Sequence, residues 1–240
     1  KAKDIRELLQ LPHLNDSVLG NLPMQIALLE IPDATKLEFS QQILDSEKAD
    51  SNTLAGVARA LERINDPNVA TLLDQIIDSE KSSAETLSQV AYTLRYRRSK
   101  LPESGALLQR VLDSKKADSK TYGGVALSIS RSNVPISTAQ KMFRQILHSD
   151  KSNADTLVEV ARAISDDEHL PPEFQESILQ QIVHSEKADG YVLGQVARSI
   201  ATSDSPISNR QAKIQEILDS PKADDYTFQR VVSCMDRAAF

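Results

Sequence analysis

The sequence predicts an all-α protein, a right-handed α-solenoid of helix-turn-helix repeats about 35 residues long, and three observations carry that prediction. The first is recurrence. The stretch ILDSEKADSNTLAGVARAL, residues 43–61, returns five more times in diverged form. Its Ser-x-Lys core falls at Ser46/Lys48, Ser79/Lys81, Ser114/Lys116, Ser149/Lys151, Ser185/Lys187 and Ser220/Lys222. The steps between copies are 33, 35, 35, 36 and 35 residues, a period typical of stacked helical repeats. The second observation is an apolar stripe at helical spacing in every copy, with no useful length of period-two alternation. The third is composition: 40% hydrophobic residues but 4% aromatic and no Trp. A core of Leu, Ile, Val and Ala suits closely stacked helices.

The opening segment, KAKDIRELLQLPHLND, places Ile5, Leu8 and Leu9 at helical spacing before Pro12 stops it. It reads as the second half of a repeat, residues 1–15. Residues 16–50 form a degenerate repeat, its first helix interrupted by Gly20 and Pro23 and its second running from about Pro32 to Leu44. Five regular repeats occupy 51–224, and 225–240 resembles the first half of another. The chain is thus expected to be a single solenoid of about six and a half repeats, cut from a longer protein.

Each regular unit reads as helix A, turn, helix B, turn. Helix A follows Asp50, Ser83, Asp118, Asn153, Asp189 or Asp224, all side chains able to accept from an unpaired N–H at a helix start. Leu54, Val57, Ala58 and Leu61 sit at i, i+3, i+4 and i+7 and form one buried stripe; Leu87, Val90, Ala91, Leu94 and Leu157, Val160, Ala161, Ile164 repeat it. Gly56, Gly123, Gly124 and Gly194 beside that stripe let neighbouring helices approach closely. A proline opens each helix B, at Pro67, Pro102, Pro135, Pro171/Pro172 and Pro206, where its missing N–H costs nothing. Helix B then buries sets such as Leu72, Leu73, Ile76, Ile77 and Ile178, Leu179, Ile182, Val183.

Helix B ends in Asp45, Asp78, Asp113, His148, His184 or Asp219, just before Ser-x-Lys. The negative end of the helix dipole favours the lysine but not the aspartate. The aspartate is therefore expected to accept hydrogen bonds from a neighbouring turn or to pair with the lysine three residues on. The corner reads first as a structural device that sets the geometry between repeats. Its second reading is functional: Lys48, Lys81, Lys116, Lys151, Lys187 and Lys222 as a ladder of phosphate contacts along a nucleic-acid backbone. His148 and His184 lack a Cys or a second His at ligand spacing, so no metal site is expected.

The net charge of −6 argues against a dominant nucleic-acid footprint. No apolar run reaches the length of a membrane span, so no membrane association is expected. The single cysteine, Cys234, points to a reducing intracellular compartment, cytoplasmic or a host cytosol if the protein is a secreted effector. No nucleophile elbow, zinc-protease motif or phosphate-cradling glycine loop is present. No enzyme activity and no cofactor are expected, and no catalytic residue is assigned.

Residues 117–126, ADSKTYGGVA, and 223–234, ADDYTFQRVVSC, resemble the Pro-Asp-x-x-Thr-Tyr-Asn-x-Leu-Ile start of pentatricopeptide repeats. Residues 139–143, AQKMF, resemble the Ala-x-x-Leu-Phe of that family's second helix. Tetratricopeptide repeats share the unit length and the two-helix pattern. The resemblance covers roughly 50–235 and implies a solenoid that binds a protein, a peptide or single-stranded RNA. It implies base-reading pairs at Ala55/Ser83, Ser88/Asp118, Gly123/Asn153, Val158/Asp189 and Gly194/Asp224, of which Ser88/Asp118 has the side chains for the task.

Four residues beyond those early helix-A positions lie Arg59, Tyr92, Leu127, Arg162 and Arg198. The i, i+4 relation puts them on one face beside the buried stripe. Arg and Tyr are enriched at interface hot spots, so this row is the expected partner-binding face, with salt bridges between repeats as the other reading. Tyr96, Arg97 and Arg98 add a basic turn exposed to an acidic partner. A protein or peptide partner is the leading expectation, and single-stranded RNA the alternative.

Overall fold

A computed structural model of the chain describes residues 5, 7, 16–97, 101–132, 134–167, 169–202 and 210–235. Between Asp16 and Met235 the described residues form thirteen helices and no strand. They are α1 (Asp16–Ala27), α2 (Asp33–Leu44), α3 (Ser51–Leu61), α4 (Val69–Asp78), α5 (Ala84–Tyr96), α6 (Ser104–Asp113) and α7 (Ser119–Ile129). There follow α8 (Ile136–His148), α9 (Ala154–Ser165), α10 (Pro172–His184), α11 (Gly190–Thr202), α12 (Arg210–Leu218) and α13 (Asp225–Met235). Odd-numbered helices are the A helices and pack along one another in sequence order. Even-numbered B helices form a second layer whose members touch more lightly; each B helix packs on the A helix before it, and all but α8 pack also on the one after. The result is an all-helical, repeat-like stack of two layers.

Why each A helix begins where it does is visible atom by atom. The Asp50, Asp118 and Asn153 side chains accept from Thr53 N, Thr121 N and Thr156 N at 2.8, 2.8 and 3.0 Å. Ser83, Asp189 and Asp224 do the same for Thr86, Val192 and Thr227. All six expected caps are therefore made. The Thr53 N–H and hydroxyl hold the Asp50 carboxyl below its usual range, and those of Thr227 do so for Asp224.

That threonine has a second task, which reading the repeats one at a time does not show. Its hydroxyl donates to a carbonyl in the first turn of the preceding A helix: Thr86 to Ser51 at 3.0 Å, Thr121 to Ala84 at 3.1 Å, Thr156 to Ser119 at 3.0 Å and Thr227 to Gly190 at 2.9 Å. Later in the helix, Thr93 and Ser128 donate to Ala58 and Ala91 carbonyls, both at 2.7 Å. These side chains are buried, so their acceptors could not turn to water instead. A short hydroxyl reaches a neighbouring backbone only if the two helices nearly touch. The alanines at Ala58, Ala91, Ala126, Ala161 and Ala197, all buried, permit that approach.

A backbone-to-backbone approach joins α1 and α3. A methyl group at Gly56 would overlap the carbonyl oxygen of Gly20, a backbone atom with nowhere to move. This contact also explains a departure from expectation. Gly20 and Pro23 do not interrupt the first helix; α1 runs unbroken through both. Leu19, Leu22, Ile26 and Ala27 bury one continuous face, and that burial outweighs the hydrogen bond lost at Pro23. Of the opening half repeat, Ile5 is helical and buried, whereas Leu8, Leu9 and Pro12 lie outside the described residues.

The core otherwise follows the stripes. The helix-A sets and the helix-B sets built on Leu72 and Ile178 are buried, and Met142, Phe143 and Ile146 fill α8. Pro172 opens α10 as expected, and the other described helix-B prolines sit slightly earlier. Pro67 and Pro102 lie in the turns before α4 and α6, and Pro135 and Pro171 occupy the N-cap positions of α8 and α10. Pro206 lies outside the described residues.

Four variants test the stacking. Gly56→Ala should lose about 1–3 kcal/mol to overlap with Gly20. Gly124→Ala meets only the Ala91 methyl at 3.7 Å and a carbonyl at 3.9 Å, so it should gain about 0.5–1 kcal/mol of helix stability. Denaturant unfolding measures both. The only A helix from α3 onward without the threonine is α11, where Val192 fills the place. Val192→Thr should add about 1 kcal/mol by reaching a backbone carbonyl of α9, and Thr121→Val should cost about 1–3 kcal/mol by stranding that of Ala84.

Candidate partner-binding groove

The corner between helix B and helix A is a tight turn. The serine carbonyl accepts from the residue three on, Ala49, Ser82, Ala117, Ser152, Ala188 or Ala223, at 3.0–3.1 Å. The serine hydroxyl accepts from the lysine N–H, as Ser114 does from Lys116 at 3.3 Å. Five of the six lysine side chains then reach back one repeat. Lys116 Nζ donates to Ser79 and Glu80 carbonyls at 2.9 and 2.8 Å, and Lys151 to Ser114 and Lys115 at 3.1 and 3.3 Å. Lys81, Lys187 and Lys222 donate to Glu47, Ser149 and Ser185 carbonyls at 3.1, 2.7 and 2.7 Å. Lys48 is also engaged. The ammonium group sits where carbonyls crowd at the end of a helix, the position its charge favours.

The aspartate before the corner does not pair with that lysine. Asp113 accepts from Gln109 at 3.0 Å and from Gln145 of the next repeat at 2.9 Å; Asp78 accepts from Arg110 at 2.5 Å. The neighbouring turn is not the donor either: the donors lie on the B helices themselves. His148 contacts the Arg144 carbonyl, and His184 lies 3.1 Å from Glu216. Among the described residues no three His, Cys, Asp or Glu side chains gather where they could hold a metal ion, and no helix is long and apolar enough to cross a membrane.

The exposed face of the A layer carries a groove of about 710 Å³ across α3, α5, α7 and α9. A second hollow of about 550 Å³ extends it over α1. Arg59 and Gln89 line both. Of the expected partner-binding row, Arg59 and Tyr92 line the groove as exposed side chains. Leu127 lines it too but is 5% exposed; it is floor rather than an arm that reaches out. Arg162 stands just outside and pairs with the groove residue Glu159 at 3.1 Å. Arg198 is exposed on α11, beyond the groove lining, and is engaged within the structure.

Glycine, serine and alanine at the early helix-A positions make the hollow. Ala55, Ser88 and Gly123 line it. The hollow ends before α11, because the Tyr226 ring covers Gly194 and its hydroxyl accepts from Gln195 at 2.8 Å. Val158 is buried. The Ser88/Asp118 pair is spent inside the fold: Ser88 Oγ lies 3.2 Å from Thr121 Oγ1, and Asp118 caps α7.

The charges of the groove were not legible as a site. Five acids line the two hollows, Asp50, Glu62, Glu85, Asp155 and Glu159, against Arg59 and Lys120. Lys120 meets Glu85 at 2.5 Å, and that hydrogen bond raises the lysine pKa. Both groups are mostly exposed, so the pair adds little stability. The signal was present in the sequence: stepping 35 residues from Glu85 gives Lys120 and then Asp155, and one step back from Arg59 gives Met24, which lines the second hollow. Tyr92 and Tyr96, 44% and 43% exposed, stack at 5.4 Å, with Arg95 4.9 Å from the Tyr96 ring.

Within the basic turn beside them, Arg97 is not exposed. Arg97 is 6% exposed and donates to the Leu61 and Asp66 carbonyls at 2.8 and 3.2 Å. Burial lowers its pKa. Nearby, Asp33 accepts from Asn65 N at 3.0 Å, a bond that holds its carboxyl below the usual range. Arg98 lies outside the described residues. No protein-family model matches this chain, and no curated protein matches it in sequence.

Arg97→Ala should lower stability by about 2–4 kcal/mol, because the buried Leu61 carbonyl and the half-buried Asp66 carbonyl lose their donor. Arg97→Lys should recover only part of this, since one ammonium cannot reproduce the guanidinium fork. Thermal and denaturant unfolding of both variants check it.

Proposed function

We propose that the chain is a right-handed α-solenoid of degenerate pentatricopeptide or tetratricopeptide type, a non-catalytic scaffold that grips a partner protein or peptide along its A-layer groove. The observation that carries this reading is the division of labour between recurring and varying residues. Residues that recur from unit to unit serve the stack: the capping side chain starts its own helix, and the threonine, the alanine and the corner lysine spend their hydrogen bonds or their small size on the neighbouring repeat. Residues that vary line a hollow open to solvent, and among them are an arginine and an exposed tyrosine. The A helices pack more closely than the B helices, which supports a stack curved toward the A layer, the geometry in which solenoids hold extended ligands.

The same observations favour protein over single-stranded RNA. Five of the six corner ammonium groups donate to backbone carbonyls. The Ser88/Asp118 pair is occupied, and the acids of the groove repel a phosphate backbone.

Affinity capture from the native cell separates the readings. A protein partner should be retained by the intact chain after nuclease treatment and lost about tenfold or more with Tyr92→Ala, a loss typical of an aromatic hot spot. The variant should melt with the parent, because Tyr92 is exposed. Capture that needs RNA, or that ignores Tyr92→Ala, would sink the proposal.

A further inference from the structure

We infer that the occupant of the groove is an extended, basic segment of the partner, its Lys or Arg side chains seated toward the C-terminal ends of α3 and α5; this rests on the groove being the binding site. The groove crosses four stacked A helices, and helices pack about 8–10 Å apart, so its length is on the order of 30 Å. An extended chain rises about 3.3 Å per residue, and roughly nine residues span it.

Charge selects the segment. Acids outnumber bases four to two in the groove lining, with Asp50 a fifth in the adjoining hollow, and the whole chain carries −6. A concave wall concentrates such a field. Position refines the choice. Glu85 and Asp155 stand in the first turns of α5 and α9, where the positive end of the dipole offsets their charge. Glu62 is the C-cap residue of α3, where the dipole adds to its charge instead. Tyr92, one repeat on, offers an exposed ring in the same groove. A cation seated there has a carboxylate, a helix C-terminus and an aromatic face together. Lys120 does not compete strongly, since Glu85 already holds it. Arg59 is the like charge at that end, and its removal should favour the occupant.

The test uses the full chain and fluorescent nine-residue peptides read by anisotropy. One peptide carries Lys at every third position, one has those lysines replaced by Gln and one by Glu; a nine-nucleotide single-stranded RNA is the fourth probe. The basic peptide should bind at least tenfold more tightly than the neutral one. Glu62→Lys with Glu159→Lys should weaken it about tenfold or more, and Arg59→Gln should strengthen it. Glu30→Lys with Glu186→Lys makes the same change in net charge outside the groove lining and should have a much smaller effect. Equal losses from the two double variants would overturn the inference, as would no binding of the basic peptide. Tighter binding of the neutral or acidic peptide, abolished by Tyr92→Ala, would overturn the basic occupant and leave the groove as the binding site. Tightest binding of the RNA would overturn both.

Discussion

The structure depends on backbone carbonyls of one repeat being completed by side chains of the next. A threonine or serine hydroxyl is short, so Thr86, Thr93, Thr121, Ser128 and Thr156 bring adjacent A helices close enough that their carbonyls are satisfied across the interface. Longer lysines do the same at the corners, where there is more space. Each bond contributes only about 1 kcal/mol net, but each also leaves an unsatisfied acceptor if broken, so register between repeats is strongly specified. The small residues follow from this constraint. Gly56 against Gly20 is its limiting case, and the alanines at Ala58, Ala91 and Ala126 are its routine form.

The constraint acts more strongly on one layer than on the other. B helices meet through long side chains, as in the Gln109–Gln145–Asp113 set and the Arg110 contacts to Asp74 and Asp78. Long side chains hold the layer farther apart, and short hydroxyls draw the A layer together. The hollow lies on the closely packed side because glycine, alanine and serine there leave space that bulkier residues would fill. Where a bulky residue does arrive, as Tyr226 over Gly194, the hollow stops. Stacking chemistry and groove thus share one cause, the small side chains of the A helices.

A periodic residue can serve the stack or a ligand, and periodicity alone does not separate the two. Lys116 and Lys151 recur with the spacing a phosphate ladder would need, yet their charges are turned onto the preceding corner. Arg97 looked exposed because it sits in a basic turn, and burial against Leu61 and Asp66 accounts for it instead. The variable positions are a better guide to a binding face. Arg59 and Tyr92 reach the groove, while Leu127 shows that one member of such a row can become floor.

The sequence by itself determined the all-helical class, the period, the six N-caps and the buried stripes, because each is a short-range property written within about eleven residues of one helix. It also carried the recurring threonine and the Glu85, Lys120, Asp155 series, but neither has meaning until helices 35 residues apart are brought side by side. Only the tertiary structure decided that Pro23 lies inside a continuous helix, that the corner lysines bind carbonyls, and that four acids share one hollow with Tyr92. The physical reason is the same in all three: side-chain partners and burial are set by the neighbouring repeat, whose distance and orientation no single repeat encodes.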